Sequence, residues 1–83
     1  KEVPGRLSTY LLYLSEHKNK NDHLILDISK GQLASLLGTI PETLSRILAR
    51  MAKEELICLD GSRRIQILDR NGLLELASGE RRL

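Results

Sequence analysis

The chain has 83 residues, 41% of them hydrophobic and 29% charged, with a net charge of +2 and a pI near 8.9. That describes one small domain with a modest core, basic enough to permit a nucleic-acid partner but not to require one. A single cysteine, Cys58, excludes an internal disulfide and a cysteine metal cluster. No apolar run reaches membrane-spanning length and no signal-peptide pattern is present, so a cytoplasmic setting is the default expectation.

The only aromatic residues are Tyr10 and Tyr13, which makes the expected core aliphatic. Pro4 suits the first turn of a helix, where its missing N–H would have no partner anyway. Leu7, Leu11 and Leu14, with Tyr10, line one face of that helix, which is expected to end near His17, leaving Tyr13 partly exposed. Residues 18–22 (KNKND) read as a polar loop and residues 23–28 as a short strand. His17 and His23 lack neighbouring ligands, so solvent exposure explains them better than a metal site.

Residues 29–51 carry the densest signal. Ser29 and Gln32 fit a capping box, in which each side chain satisfies an orphan amide of the other's backbone. Leu33, Leu36 and Leu37 are expected to face inward, Ala34 leaves room for a crossing helix, and Gly38 supplies a left-handed helix end. A second helix follows, with Leu44, Ile47, Leu48 and Met51 recurring at helical period. Its other side holds Glu42, Thr43, Ser45, Arg46, Ala49 and Arg50. Ala34, Gly38, Leu44 and Ile47 have the spacing of a helix-turn-helix.

The second helix is expected to run to about residue 55, with Lys53 favouring its C-terminal end. Residues 56–59 then read as a strand, Asp60-Gly61 as a tight turn, and residues 64–68 as the return strand. Cys58 in that strand reads as a buried structural thiol. Asp69 can cap a last helix through Leu73, Leu74, Leu76 and Ala77, which Gly72 weakens near its start. The SGERRL tail is expected to fray. The fold class is therefore mainly α with a small β-hairpin, a winged helix-turn-helix spanning 1–83, with the helix-turn-helix at about 29–55 and the wing at about 56–68.

The run GQLASLLGTIPETLSRILARMAKEELI resembles the DNA-binding region of the CRP/FNR family of bacterial transcription regulators. VPGRLSTYLLYL resembles the helix that opens that domain, LICLDGSRRIQIL its wing and DRNGLLELA its closing helix. The E-T-L-S-R segment is closest to the FNR branch, whose E-x-x-S-R motif goes with a half-site of TTGAT type. The resemblance implies sequence-specific binding of double-stranded DNA, a near-palindromic operator and a homodimer in the intact protein, with RNA polymerase as a further candidate partner. It also implies a sensory β-barrel and a dimerisation helix ahead of this domain, neither of which is in these residues. No cofactor is expected in the domain itself; a cyclic nucleotide, haem, iron–sulfur cluster or other effector would belong to the sensory part.

Residue chemistry fits the reading role. Glu42 accepts only and suits cytosine N4, Arg46 can pair bidentately with guanine, and Thr43 and Ser45 can donate, accept or, for threonine, touch a thymine methyl. Without the helix-turn-helix frame, Glu42 and Arg46 would be simply an i, i+4 ion pair worth about 0.2–0.5 kcal/mol. Candidate backbone contacts are Ser29, Lys30, Gln32, Thr39 and Arg50, with Ser62, Arg63 and Arg64 at the wing tip. Solubilising the hairpin is the plain alternative for Arg63 and Arg64, and helix capping for Thr39. One departure from the family pattern is Ile40, at a position that usually carries a Ser or Thr cap. Thr39 with Glu42 offers a substitute capping box one residue earlier. No nucleophile–base pair, phosphate loop or metal spacing suggests an enzyme. A winged helix used for protein–protein contact is the competing function.

Overall fold

The computed structural model describes residues 2–18 and 21–83. The polar loop expected at 18–22 falls partly on residues 19 and 20, which lie outside the described residues. Helix α1 (Val3–Tyr13) begins with proline in its first turn and runs directly into a π-helical turn over Leu14–Lys18. Strand β1 (His23–Ile25) is followed by α2 (Lys30–Leu36), α3 (Pro41–Lys53), β2 (Ile57–Asp60), β3 (Arg64–Ile67) and α4 (Arg70–Ser78). The strands form one antiparallel sheet in the order β1-β3-β2. The expected early strand therefore completes the wing, pairing Leu24 with Ile65 while Leu59 pairs with Ile65 from the other side.

The core is almost wholly aliphatic. Leu7 and Leu11 of α1, Leu33 and Ala34 of α2, Leu44, Leu48 and Met51 of α3, Ile57, Ile65 and Ile67 of the sheet, and Leu73 and Leu76 of α4 are buried together. Each fully buried leucine contributes about 1.5–3 kcal/mol. Ile47 is only half-buried at the rim of this cluster. Leu36 departs from expectation, being 63% exposed. The inward side of α2 is centred between Leu33, Ala34 and Leu37, and helical geometry turns Leu36 about 100° away from that centre.

Charged side chains tie the elements together. Arg6 of α1 donates from Nε and Nη2 to the Leu37 carbonyl at 3.2 and 2.7 Å, capping the end of α2. Arg70 of α4 donates to Ser15 Oγ and, at 2.6 Å, to Asp22 Oδ1. The C-terminal tail is ordered against the body, contrary to the expected fraying. Arg81 pairs with Glu54 at 3.1 Å, its amide donates to the Glu75 carbonyl, and Leu83 packs on the core.

Cys58 is exposed, which corrects the expectation of a buried thiol. The register decides this: Ile57 faces the core opposite Ile67, so Cys58, opposite Gln66, must point to the other face. Gly72 is also misjudged by propensity alone, since its missing side chain is what allows α4 to pack against Leu56.

The Tyr10 hydroxyl donates to Asp27 Oδ1 at 2.7 Å. Burial first, and then the hydrogen bond to the Asp27 carboxylate, push its pKa from 10.0 up to about 12. A raised pKa means the folded state holds the proton more tightly, so this stabilisation is fully present below pH 10 and fades as pH rises towards 12. Urea melts across that window should therefore show the wild type losing its advantage over Tyr10→Phe. A constant difference between the two proteins would deny the linkage.

Candidate nucleic-acid interface

Helix α2 starts with the expected box. Ser29 Oγ accepts from the Gln32 amide at 3.1 Å, and Gln32 Oε1 accepts from the Ser29 amide at 3.0 Å. Both bonds use acceptor oxygens, which leaves the serine hydroxyl proton and the glutamine NH2 available to an acceptor outside. Lys30, half-buried, is the first residue of the helix. Helix α2 ends at Leu36 with Leu37 as its C-cap, Gly38 takes φ +75°, and the Thr39 amide donates to the Ala34 carbonyl at 2.8 Å. That turn aims α3 across α2.

The start of α3 corrects the sequence reading. Its N-cap is Ile40, with no side-chain capping bond, and Pro41 opens the helix. The box between Thr39 and Glu42 does not form, because the helix begins one residue too late for Thr39 to cap it. Glu42 is therefore spent on Arg46, which donates from Nη2 to Glu42 Oε2 at 2.8 Å. Both side chains stay largely in water, 75% exposed for Arg46 and 68% for Glu42. Such a pair is worth only about 0.2–0.5 kcal/mol, so it holds the guanidinium in place without locking it there.

Glu42, Ser45, Arg46 and Ala49 share one exposed face by their i, i+3, i+4, i+7 spacing, and Leu44, Leu48 and Met51 bury the opposite one. Thr43 is half-buried at the flank of this face. Arg50, one turn beyond Arg46, is engaged: its Nε donates to Glu54 Oε2 at 2.8 Å, and Glu54 also receives Arg81. The Arg50 hydrogen bond holds the Glu54 carboxyl below its ordinary pKa, with the Arg81 bond adding to the effect against partial desolvation. Sequence reading missed this shared carboxylate, because Arg81 comes from the tail it expected to fray.

The wing tip consists of Gly61, Ser62 and Arg63, a three-residue connection between paired Asp60 and Arg64, in place of the expected Asp60-Gly61 dipeptide turn. Gly61 takes φ +78°, which a side chain would resist. Arg64 thus lies in β3, paired with Ile25 and Asp60, and not at the tip. Arg63 reaches back to donate to the Leu26 carbonyl at 3.4 Å. Ser62, Arg63 and Arg64 are all exposed. Among the described residues no group of three or more His, Cys, Asp or Glu side chains could hold a metal ion, and no helix is long and apolar enough to cross a membrane.

Residues 5–76 match the family described as the Crp-like helix-turn-helix domain. The chain belongs to that family. This Crp-like domain is 39% identical over 72 residues to a probable transcriptional regulator, flp, of Lacticaseibacillus casei, covering 87% of the chain and 32% of that protein. It is 33% identical over 79 residues to the transcriptional regulator SdrP of Thermus thermophilus, covering 90% and 38%. Among solved structures it superposes on FixK2 of Bradyrhizobium japonicum with a TM-score of 0.84 and 26% identity, covering 92% of the chain and 38% of FixK2. The Crp-like domain thus spans about a third to two-fifths of the length of these relatives. A winged helix-turn-helix of the CRP/FNR type is the fold, and the relatives named above are transcriptional regulators.

Proposed function

We propose that this Crp-like domain binds double-stranded DNA at a specific site by laying α3 in the major groove, as the DNA-binding end of a transcription regulator. The observation that carries the reading is α3 itself. Its buried stripe fixes the helix on the body, while the opposite face presents Glu42, Ser45 and Arg46 to solvent, with the arginine held at 2.8 Å by its glutamate. In helix-turn-helix proteins the N-terminal residues of the second helix meet base edges. Arg46 donates to guanine O6 and N7, Glu42 accepts from cytosine N4, and Ser45 and Thr43 complete the reading set.

Backbone contacts fix register. Ser29, Lys30 and Gln32 supply donors at the start of α2, where the box leaves their protons outward, and Thr39 adds a hydroxyl at the turn. Ser62, Arg63 and Arg64 reach a neighbouring phosphate from the wing. Arg50 keeps its Nη donors for a phosphate while its Nε holds Glu54. In the intact protein a homodimer would place two such helices on a near-palindromic operator, and the isolated domain, lacking that linkage, would bind more weakly. Effector binding belongs to the part of the protein ahead of this domain, and RNA polymerase is the further partner such a regulator would need for activation.

The test is an NMR titration of the labelled chain with a duplex carrying a TTGAT half-site and with a scrambled duplex. Shifts centred on residues 42–50 and the wing, larger for the half-site, are expected. Equal shifts would leave DNA binding in place and discard the site assignment, and no shifts at low salt would turn attention to a protein partner. Arg64→Ala should weaken binding to every duplex alike and reduce the slope of log K against log salt by about one unit. A loss confined to one sequence would reject its phosphate role.

A further inference from the structure

The leading edge of α3 is apolar. Helix starts ordinarily carry Ser, Thr, Asp or Asn, whose side chain satisfies a free amide. Here the N-cap is Ile40, in extended conformation at φ −109°, with no capping bond, and it is 58% exposed. Pro41, the next residue, is exposed too. The chain therefore forgoes a cap and leaves a branched hydrocarbon in water at the end of the helix that faces the groove. Among the described residues Ile40 lies outside the buried core cluster.

A partner of particular chemistry removes both difficulties. Of the groups displayed in the major groove, only the C5-methyl of thymine is apolar, and apolar side chains read it by contact. Of the polar residues that follow, Glu42 and Arg46 cannot take this role, and Thr43, whose methyl group could, is half-buried at the flank of the exposed face. Glu42 only accepts, so it disfavours the O4 of thymine, and Arg46 is matched to guanine.

We propose that Ile40, seated beside Pro41, is a specificity-determining residue that selects a thymine through its methyl group, at the base pair met by the start of α3. The assignment rests on the DNA-binding reading above and deepens it. It divides the helix by chemistry, with hydrocarbon contact at its tip and hydrogen bonding one turn further along.

The test begins by letting the 83-residue chain select duplexes from a randomised pool. In the enriched duplex each thymine is then replaced singly by uracil, which deletes the methyl and keeps the Watson–Crick pairing. Fluorescence anisotropy at fixed salt should find one thymine per half-site whose replacement raises Kd about three- to fivefold, the worth of one buried methyl-sized group. With Ile40→Ser the same replacement should be neutral. That variant gains a capping hydroxyl, so its melting temperature should be at or above the wild type's, which separates lost discrimination from lost fold. A uracil scan without a sensitive position, or a penalty unchanged in Ile40→Ser, would overturn the proposal while leaving DNA binding intact. Failure to enrich any duplex at low salt would instead reject the DNA-binding reading, and this assignment with it.

Discussion

Gly72→Ala is expected to lower the melting temperature by roughly 10 °C, a loss of about 2 kcal/mol for a domain of this size. Propensity argues the other way, since alanine in a helix interior is favoured over glycine by about 1 kcal/mol. Packing decides. A β-carbon at Gly72 would lie 2.4 Å from Leu56 Cδ2, 2.9 Å from Asp69 Oδ2 and 3.0 Å from Arg81 Nη1. Leu56 is completely buried and has nowhere to swing. Asp69 caps α4 by accepting from the Gly72 amide at 2.9 Å, so displacing its carboxylate loosens the helix start as well. Arg81 anchors the tail on Glu54. One methyl group therefore strains a core leucine, a cap and an ion pair together. Gly31→Ala is the control, because its β-carbon would meet only Ser29 Oγ at 3.8 Å; it should melt no lower than the wild type. Equal melting of Gly72→Ala and wild type would refute the close approach of α4 to Leu56.

Arg46→Ala carries the largest expected effect on recognition. A bidentate arginine–guanine contact is worth about 1–3 kcal/mol of discrimination, so affinity for the preferred half-site should fall about five- to 150-fold, with preference relaxed at one base pair. The fold should hardly notice, because Arg46 is 75% exposed and its bond to Glu42 is worth only about 0.2–0.5 kcal/mol. Thermal melts and anisotropy titrations on the same samples separate the two effects. Arg46→Lys should restore little of the discrimination, since a lysine ammonium cannot form the paired fork. Unchanged base preference in Arg46→Ala would remove α3 from the reading role.

Local chemistry makes much of this legible in the sequence. Ser29 and Gln32 announce their box by spacing alone, Asp69 its cap, and Leu44, Leu48 and Met51 their shared burial by period. These signals lie within one or two turns of chain. What stayed hidden depends on distant partners. The phase of β2, and so the exposure of Cys58, is set by its register with β3. The order of the tail depends on Arg81 meeting Glu54, and the need for glycine at position 72 on Leu56. The same division runs through the interface: which side chains can read bases follows from their chemistry, whereas Arg50 held by Glu54 and Arg63 bent back to Leu26 follow from the fold.

The outward thiol of Cys58 makes the isolated domain prone to a particular artefact. It is the chain's only cysteine and stands on the solvent face of the sheet, on a strand at its edge. Air oxidation can join two copies back to back through their wings, giving a covalent dimer whose geometry owes nothing to an operator. Measurements of association therefore call for reductant or Cys58→Ser. The same thiol, labelled with a fluorophore or nitroxide, becomes a unique reporter on the wing that leaves every side chain of α3 untouched.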